Sequence, residues 1–495
     1  MDLNKNNLNK GAKMFIGREK ELESLKEVYS KGGFGMTIIY GRRRVGKSTL
    51  ITEFIKDKKA IFYTATKVGA ERNLELFSKQ VMDILDPAYS DASFSSIENV
   101  FDILTKKLGE SGEKVILVID ELPYWAEKDE ALLSIIQKYI DTQWLDKKLM
   151  LILCGSALSF MEKTVLSEKS PVFGRRDAQI KLEAFNYRDA ALFVPNYSPE
   201  DKAICYGVTG GVAKYLSLID PGRSLDDNIK RLFFKPDGYL FDETKNLLTQ
   251  EFSDTTLVNN VIEQVASGEN ALNIIASKVR EKDTTVLYSL EKLIDIGLVE
   301  KKKCITEEKN KKKTQYVIKD HMFKFWYEFI PKAISVIEMG QGELYYEKAV
   351  KPRLHEFMGS VFEEMCRYFT LEQGIQGAFG SFLTETGTWW GVEQLKDENG
   401  KWNQQASDID VVGISTIDNS AVIGECKFKN ERIDKGVYET LLRRSRLISA
   451  KYNITKYLLF SLSGFTDWFA EADKTNLILI TVDNMYNNKS QIGCL

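Results

Sequence analysis

The run Gly41-Arg42-Arg43-Arg44-Val45-Gly46-Lys47-Ser48-Thr49 fits the spacing G-x-x-x-x-G-K-[ST]. Each position has a chemical reason. Glycines let backbone N–H groups close around an anion, and a helix beginning at the lysine turns its positive end toward it. Lys47 can neutralise terminal phosphate charge and Ser48 can place its hydroxyl on Mg²⁺. Arg42, Arg43 and Arg44 add positive potential to the same loop. Further on, an apolar run at 115–119 ends in Asp120-Glu121. At the carboxyl end of a buried strand, Asp120 can hold Mg²⁺ and Glu121 can orient or deprotonate an attacking water. The two patterns together point to ATP with Mg²⁺.

A second set of ionisable residues lies far along the chain. Ser407-Asp408-Ile409-Asp410-Val411-Val412 leads into a strand, and Gly424-Glu425-Cys426-Lys427 follows. Side chains at i and i+2 share one face of a strand, so Glu425 and Lys427 point one way and Cys426 the other. If the two strands pair as a hairpin, Asp410 approaches the face of Glu425. Two carboxylates and a lysine there can bind Mg²⁺ and activate water against a phosphodiester. Upstream, residues 359–366 read as a helix that buries Phe362, Met365 and Cys366. At about 100° per residue, Glu363 borders that buried side while Glu364 points away.

The elements that must carry these groups follow from hydrophobic periodicity. Strands are expected at 36–40, 60–65, 115–119, 149–154 and 178–182, alternating with helices at 47–55, 74–85, 97–108 and 131–144. That alternation means a parallel sheet covered on both faces, and the uninterrupted apolar runs at 115–119 and 149–153 suit strands buried on both sides. From 186 to 252 the pattern turns helical, broken at Gly210-Gly211. Three helices (257–266, 271–278, 285–296) then precede two short strands (298–305, 314–318). Helices at 359–371 and 436–448 and strands at 388–395, 409–414, 421–426 and 456–461 complete the chain.

Three helices followed by a hairpin is the winged-helix pattern. Its third helix would present Thr284, Thr285, Tyr288 and Ser289 to a major groove. Lys301, Lys302 and Lys303 on the first strand, with Lys309, Lys311, Lys312 and Lys313 at the tip, would meet DNA phosphates without reading sequence. The same pattern also serves as a spacer between proteins, and a lysine-rich hairpin discourages edge pairing.

Composition bounds the remaining possibilities. At roughly 150 residues per domain, 495 residues make about three domains. Hydrophobic residues at 43% and charged residues at 28% exclude a mainly disordered chain. No apolar stretch reaches the ~18 residues of a membrane span, and the first seven residues lack the apolar core of a signal peptide. The 6 cysteines lie far apart with no C-x-x-C pair, which argues against disulfides and thiolate zinc and fits a cytoplasmic chain. The 2 histidines, His321 and His355, leave little material for a zinc cluster or a serine–histidine triad. With 68 basic and 71 acidic residues the net charge is -3, so contact with nucleic acid has to rest on local patches.

Around the phosphate loop the chain resembles the AAA+ ATPases, and more closely the archaeal-type ATPases grouped near the STAND nucleotide switches. Phe15-Ile16-Gly17-Arg18-Glu19 is similar to the family's F-x-G-R-E opening segment, which implies Phe15, Gly17 and Arg18 beside the adenine. Gly155-Ser156 resembles the sensor 1 position, with Ser156 as its polar group. Gly174-Arg175-Arg176 resembles the G-R motif that supplies a transition-state arginine in relatives. Gly210-Gly211-Val212-Ala213-Lys214-Tyr215-Leu216 resembles the G-G-x-P-x-Y-L lid motif, with Ala213 where proline is expected. The C-terminal third resembles the PD-(D/E)XK nuclease-like module that trails such ATPases. That resemblance rests on the Phe325-Trp326-Tyr327 segment, the G-x-x-F-E helix, Trp389-Trp390-Gly391, and the I-D-V-V and G-E-C-K strands.

The implied architecture is α/β. A mobile arm (1–14) precedes a P-loop NTPase core with a parallel sheet (15–185) and a helical lid (186–253). A winged-helix domain (254–320) and an α/β nuclease-like domain (321–495) follow. The implied function is an ATP-hydrolysing switch coupled to a nuclease acting on DNA, with Glu121, Arg175, Arg176, Glu363, Asp410, Glu425 and Lys427 catalytic. Mg²⁺ would sit on Ser48 and Asp120, and again on Asp410 and Glu425. The alternative is a nucleotide-gated regulator that binds DNA or protein and cuts nothing. AAA+ relatives commonly form rings, whereas STAND relatives stay monomeric until triggered, so a homo-oligomer and an unknown protein partner both remain open.

Overall fold

The computed structural model describes residues 15–110, 112–252, 254–307, 314–396 and 400–487. The N-terminal arm, the lysines at 309 and 311–313, and Cys494 lie outside the described residues. The chain divides into two compact units. One comprises the residues up to Phe185 together with Val212–Lys214; the other comprises Asn186–Gly211 and Tyr215 onward.

Five parallel strands build the first unit: β1 (Gly35–Tyr40), β2 (Ala60–Thr64), β3 (Val115–Asp120), β4 (Leu149–Gly155) and β5 (Ala178–Lys181). Their order is β2-β3-β4-β1-β5. Every residue of β1, β3 and β4 is buried, because alternate side chains feed two different cores. Ile38, Leu117, Ile119, Leu151 and Leu153 pack with the helices Ala70–Leu85, Ile97–Glu110 and Leu132–Tyr139. Ile39, Ile116, Val118, Met150 and Ile152 pack on the other side with Leu25 and Val28 of Glu19–Ser30 and with Leu50, Ile51 and Phe54 of Lys47–Ile55. Such doubly covered parallel sheets leave their carboxyl ends open for ligands. The register aligns Tyr40 with Gly155 and Ile119 with Leu153, so the loops after β1, β3 and β4 emerge side by side.

The second unit begins with helices, among them Pro199–Thr209 and Leu225–Phe233. Helices Thr256–Ala266, Leu272–Val279 and Asp283–Asp295 then precede an antiparallel pair, β6 (Val299–Lys303) and β7 (Thr314–Ile318). A second five-stranded sheet follows, made of β8 (Glu385–Lys396), β9 (Trp402–Ile414), β10 (Ser420–Lys427), β11 (Asn453–Ser461) and β12 (Leu477–Thr481). Its order is β12-β11-β10-β9-β8, antiparallel from β8 to β10 and parallel from β10 to β12. The helices Leu354–Ile375 and Lys435–Ser445 pack on this sheet.

One expectation for the third helix needs correction. Ser289 is buried and donates to the Thr285 carbonyl at 3.3 Å, so it faces its own core rather than a groove. Nor is the lysine strand a free wing. Just beyond it, Cys304 and Ile305 are buried in one apolar cluster with Trp389, Ile409 and Ile423. The Ile305 amide donates to the Thr388 carbonyl at 3.2 Å, and the Lys302 ammonium sits 6.0 Å from the Trp390 ring centroid. Lys301 stands 3.9 Å from Glu291 of the preceding helix.

Candidate functional site

The phosphate loop turns sharply after β1. A side chain on Gly41 would bring its Cβ within 2.2 Å of the Leu182 carbonyl oxygen, so only glycine fits there. Arg44 and Gly46 follow at φ 72° and 100°, and the helix then begins at Lys47. Lys47 is 6% exposed, and its ammonium donates to the carbonyls of Gly41 at 2.8 Å and Arg42 at 3.1 Å. A buried cation whose bonds go to backbone carbonyls leaves its charge available to an anion. Ser48 and Thr49 are exposed. Ser48 Oγ donates to Asp120 Oδ2 at 2.8 Å, and the Glu121 amide donates to Asp120 Oδ1 at 2.9 Å.

β4 lies between β1 and β3, and so Ser156 stands beside the acidic pair. Its hydroxyl donates to Glu121 Oε2 at 2.7 Å and its amide donates to the same oxygen at 3.3 Å. Glu121 itself occupies the left-handed region at φ 51°, a strained position for a side-chain-bearing residue. Arg43 donates to the Tyr124 hydroxyl. The Lys214 amide donates to the Arg44 carbonyl at 3.0 Å, and a Cβ on Gly46 would stand 3.3 Å from that of Ala213. The Gly-Gly segment thus touches the phosphate loop through the two residues that follow Val212.

Arg18 props the loop from outside. Its guanidinium donates to the carbonyls of Glu183 at 2.5 Å and Val45 at 3.3 Å, and lies 4.0 Å from the Phe185 ring centroid. Gly17, at φ 67°, also meets Phe185. Phe15 packs against the apolar cluster that contains Val45 and Leu50.

Arg175 and Arg176 are not brought to the phosphate loop. They precede β5, whose neighbour Asp177 bonds the backbone of Met36 at the amino end of β1. The loop leaves from the other end, roughly 16 Å away at about 3.3 Å per residue. There Arg175 grips Asp141 through two bonds of 2.7 Å, and Arg176 lies 5.2 Å from the Phe173 ring centroid. In this arrangement neither arginine contacts the phosphate loop, and Arg175 is engaged by Asp141 instead.

The acidic site in the second sheet is better assembled. Gly424 pairs with Val411, which sets Glu425 next to Asp410 across β9 and β10. Asp410 Oδ2 accepts the Cys426 amide at 3.0 Å, and Lys427 donates to Glu425 Oε1 at 2.7 Å. Glu425 Oε2 is buried and accepts no hydrogen bond, with Arg444 Nη1 3.5 Å away. Glu363 contributes charge from the helix Leu354–Ile375. Arg367, one turn on, links Glu363 Oε2 at 3.3 Å, Thr388 Oγ1 at 3.1 Å and the Asp410 carbonyl at 3.0 Å. Burial, then the charges of Glu425 and Glu363, push the Asp410 carboxyl up to about 7. Burial works against the Lys427 ammonium, but the Glu425 carboxylate outweighs it and leaves its pKa raised. Among the described residues no group of three or more His, Cys, Asp or Glu side chains is placed to hold a metal ion.

Comparison with known proteins adds to this geometry. Residues 15–219 match the family described as an ATPase domain predominantly from Archaea. This is an archaeal-type P-loop ATPase domain. The ATPase domain is followed by a match, over residues 326–437, to a family described as Archaea bacterial proteins of unknown function. An uncharacterised protein of Methanocaldococcus jannaschii is 28% identical over 439 residues, covering 88% of this chain and 92% of that one. An uncharacterised ATP-binding protein of the same organism is 45% identical over 49 residues, covering 10% of this chain and 83% of its own. Among solved structures, the Walker-type ATPase of Pyrococcus abyssi aligns with a TM-score of 0.49 and 19% identity, over 63% of this chain and 96% of that one. No helix among the described residues is long and apolar enough to cross a membrane.

Sequence reasoning overlooked Arg367 and Arg444. Arg367 lies four residues after Glu363, a spacing that signals an ion pair on one helix face, and the two do pair. Nothing in the sequence singles out Arg444, which the fold alone brings to Glu425 and Asp408. In the ATPase domain no residue pattern pointed to the bond between Ser156 and Glu121.

Proposed function

We propose that the chain is an ATP-hydrolysing switch whose nucleotide state governs a nucleic-acid-directed, Mg²⁺-dependent nuclease site in its C-terminal part. In this reading a helical lid (186–253) and a winged helix (254–320) connect the ATPase core (15–185) to the nuclease-like domain (321–495). The ATPase half follows from the family of residues 15–219. The nuclease half is carried by one observation: the buried carboxylates of Asp410 and Glu425 stand side by side across β9 and β10, with Lys427 and Arg444 paired to Glu425.

At the phosphate loop, backbone amides and Lys47 would bind the phosphates. Ser48 and Asp120 are hard oxygen donors that already touch, which suits Mg²⁺. When bound, the metal neutralises phosphate charge. Glu121 would accept a proton from the attacking water once Ser156 no longer holds its Oε2. Nucleotide occupancy would reach the rest of the chain through Val212–Lys214, which sit against the loop and continue directly into the second unit.

At the acidic site, the carboxylates of Glu425 and Asp410 fit a hard divalent cation in kind. When bound, that ion polarises a phosphodiester and lowers the pKa of water. Lys427 and Arg444 would orient the scissile phosphate, and Arg367 would hold Glu363 and β9 in place. The test is nicking of supercoiled plasmid with Mg²⁺. The wild type is expected to nick, and Asp410→Ala and Glu425→Ala are expected to be inert. Equal nicking by Glu425→Ala, or none by the wild type on DNA or RNA, would sink the nuclease half.

A further inference from the structure

Beyond the acidic site, β8 and β9 continue as an antiparallel arm, paired from Trp390↔Asp408 out to Lys396↔Trp402. Residues 402–406 are exposed on both faces of the arm, and Val392 is also exposed. Alternate positions share a face, so Trp390, Val392 and Lys396 line one side with their partners Asp408, Ala406 and Trp402. Two aromatic–cation pairs mark its ends. The Lys396 ammonium lies 5.1 Å from the Trp402 ring centroid, and Trp402 is 61% exposed. At the inner end, Lys302 reaches over from β6 to stand 6.0 Å from the Trp390 ring centroid. Asp408, the acid on this strip, is held by Arg444 at 3.5 Å. Two residues further along β9 is Asp410, so the strip runs directly into the acidic site.

An indole left this exposed at the end of a hairpin contributes nothing to a core, and aromatic rings alternating with cations suit stacked bases joined by phosphates. We propose that this face of the β8–β9 arm binds single-stranded nucleic acid, with unpaired bases on Trp402 and Trp390 and phosphates at Lys396 and Lys302. The proposal deepens the nuclease reading by naming its substrate as single-stranded and giving it a path. A duplex fits less well, because its bases stack on one another and offer the indoles no free face. Charge around Lys302 agrees with the assignment. Burial and then the Arg367 guanidinium, against the pull of Glu363, Glu300 and Asp410, lower the pKa of its ammonium, and Arg367 adds a second cation at this end of the strip.

The test uses the full chain in EDTA, where no Mg²⁺-dependent cleavage occurs, and reads the anisotropy of fluorescein-labelled oligo-dT and of a labelled duplex. The wild type should bind the single strand more tightly. Trp402→Ala should weaken that binding by about fivefold to a hundredfold, the range for losing one stacked base, and Trp402→Phe should restore most of it. Lys396→Gln should flatten the dependence of log affinity on log salt by about 0.7, the value for one single-strand phosphate. Ile417→Ala, another exposed apolar residue off the strip, should bind as the wild type does. Unchanged affinity in Trp402→Ala, preference for duplex, or no oligonucleotide binding at all would overturn the proposal. Weakened binding by Trp402→Ala in a protein that never nicks plasmid would uphold the surface while removing the nuclease reading.

Discussion

Ser48, in the helix after β1, and Asp120, the last residue of β3, are joined by a 2.8 Å hydrogen bond although β4 lies between those two strands. The bond closes the helix after one strand onto the end of another, and the preceding residue, the buried Lys47, puts its ammonium on the Gly41 and Arg42 carbonyls. Removing that ammonium should lower nucleotide affinity by roughly ten- to a hundredfold, the range for a charged hydrogen bond to phosphate. Titration of Lys47→Ala with a fluorescent ATP analogue measures it. Wild-type affinity in that variant would contradict the site.

Glu121 is fixed by Ser156 and has no part in gripping phosphate in this arrangement. Glu121→Gln should therefore bind ATP normally and hydrolyse it about a hundredfold more slowly or worse, the usual span for losing a general base. Equilibrium binding and single-turnover hydrolysis separate the two effects. Loss of binding in step with hydrolysis would mean that the carboxylate holds structure instead.

Arg175 is committed to Asp141 at the amino end of the sheet. Both partners are partly exposed, so the pair is worth less than about 1 kcal/mol after solvent screening. Arg175→Ala should leave the affinity of its own chain for ATP within about twofold and shift the urea midpoint only slightly. A collapse of ATP affinity would show that the residue reaches the loop after all.

Asp410 gives a pH signature. Its folded pKa of about 7 lies above the ordinary carboxylate value of 3.8, so the folded chain holds this proton more tightly than the unfolded one. By linkage the wild type loses stability as pH rises from about 4 to 7, and the loss is complete above that. Asp410→Asn keeps an acceptor for the Cys426 amide but carries no charge. Its urea midpoint should exceed that of the wild type at pH 8, and the gain should fade as pH drops toward 4. A gain that grows in acid would reverse the assignment.

Much of this was legible in the residues. Strands β1 to β4 follow from apolar runs, β5 from the alternation of Ala178 and Ile180 with Gln179 and Lys181, and Gly46-Lys47-Ser48 marks the phosphate loop unaided. The helix Glu19–Ser30 was missed although Leu22, Leu25 and Val28 carry its period, because the motif at 15–19 ends where the helix begins. The strand at 388–395 was expected, but the outer part of its partner β9 was missed for a different reason. Asn403, Gln404 and Gln405 are exposed on both faces and show no alternation to read. Lys302 sits in a lysine run that resembles a solvated edge, and only the docking of Cys304 and Ile305 into the second sheet turns it inward. Which end of the sheet receives Arg175 depends on its position before β5 rather than on its motif.

The central claim is that the nucleotide held by Lys47 controls the chemistry at Glu425. Plasmid nicking with Mg²⁺, compared with and without ATP in the wild type and in Lys47→Ala, tests it most directly. The account predicts that ATP changes the wild-type rate by about five- to a hundredfold, the range of ordinary coupling between sites, and leaves Lys47→Ala unchanged. A wild-type rate indifferent to ATP, or an ATP response that survives in Lys47→Ala, would contradict it.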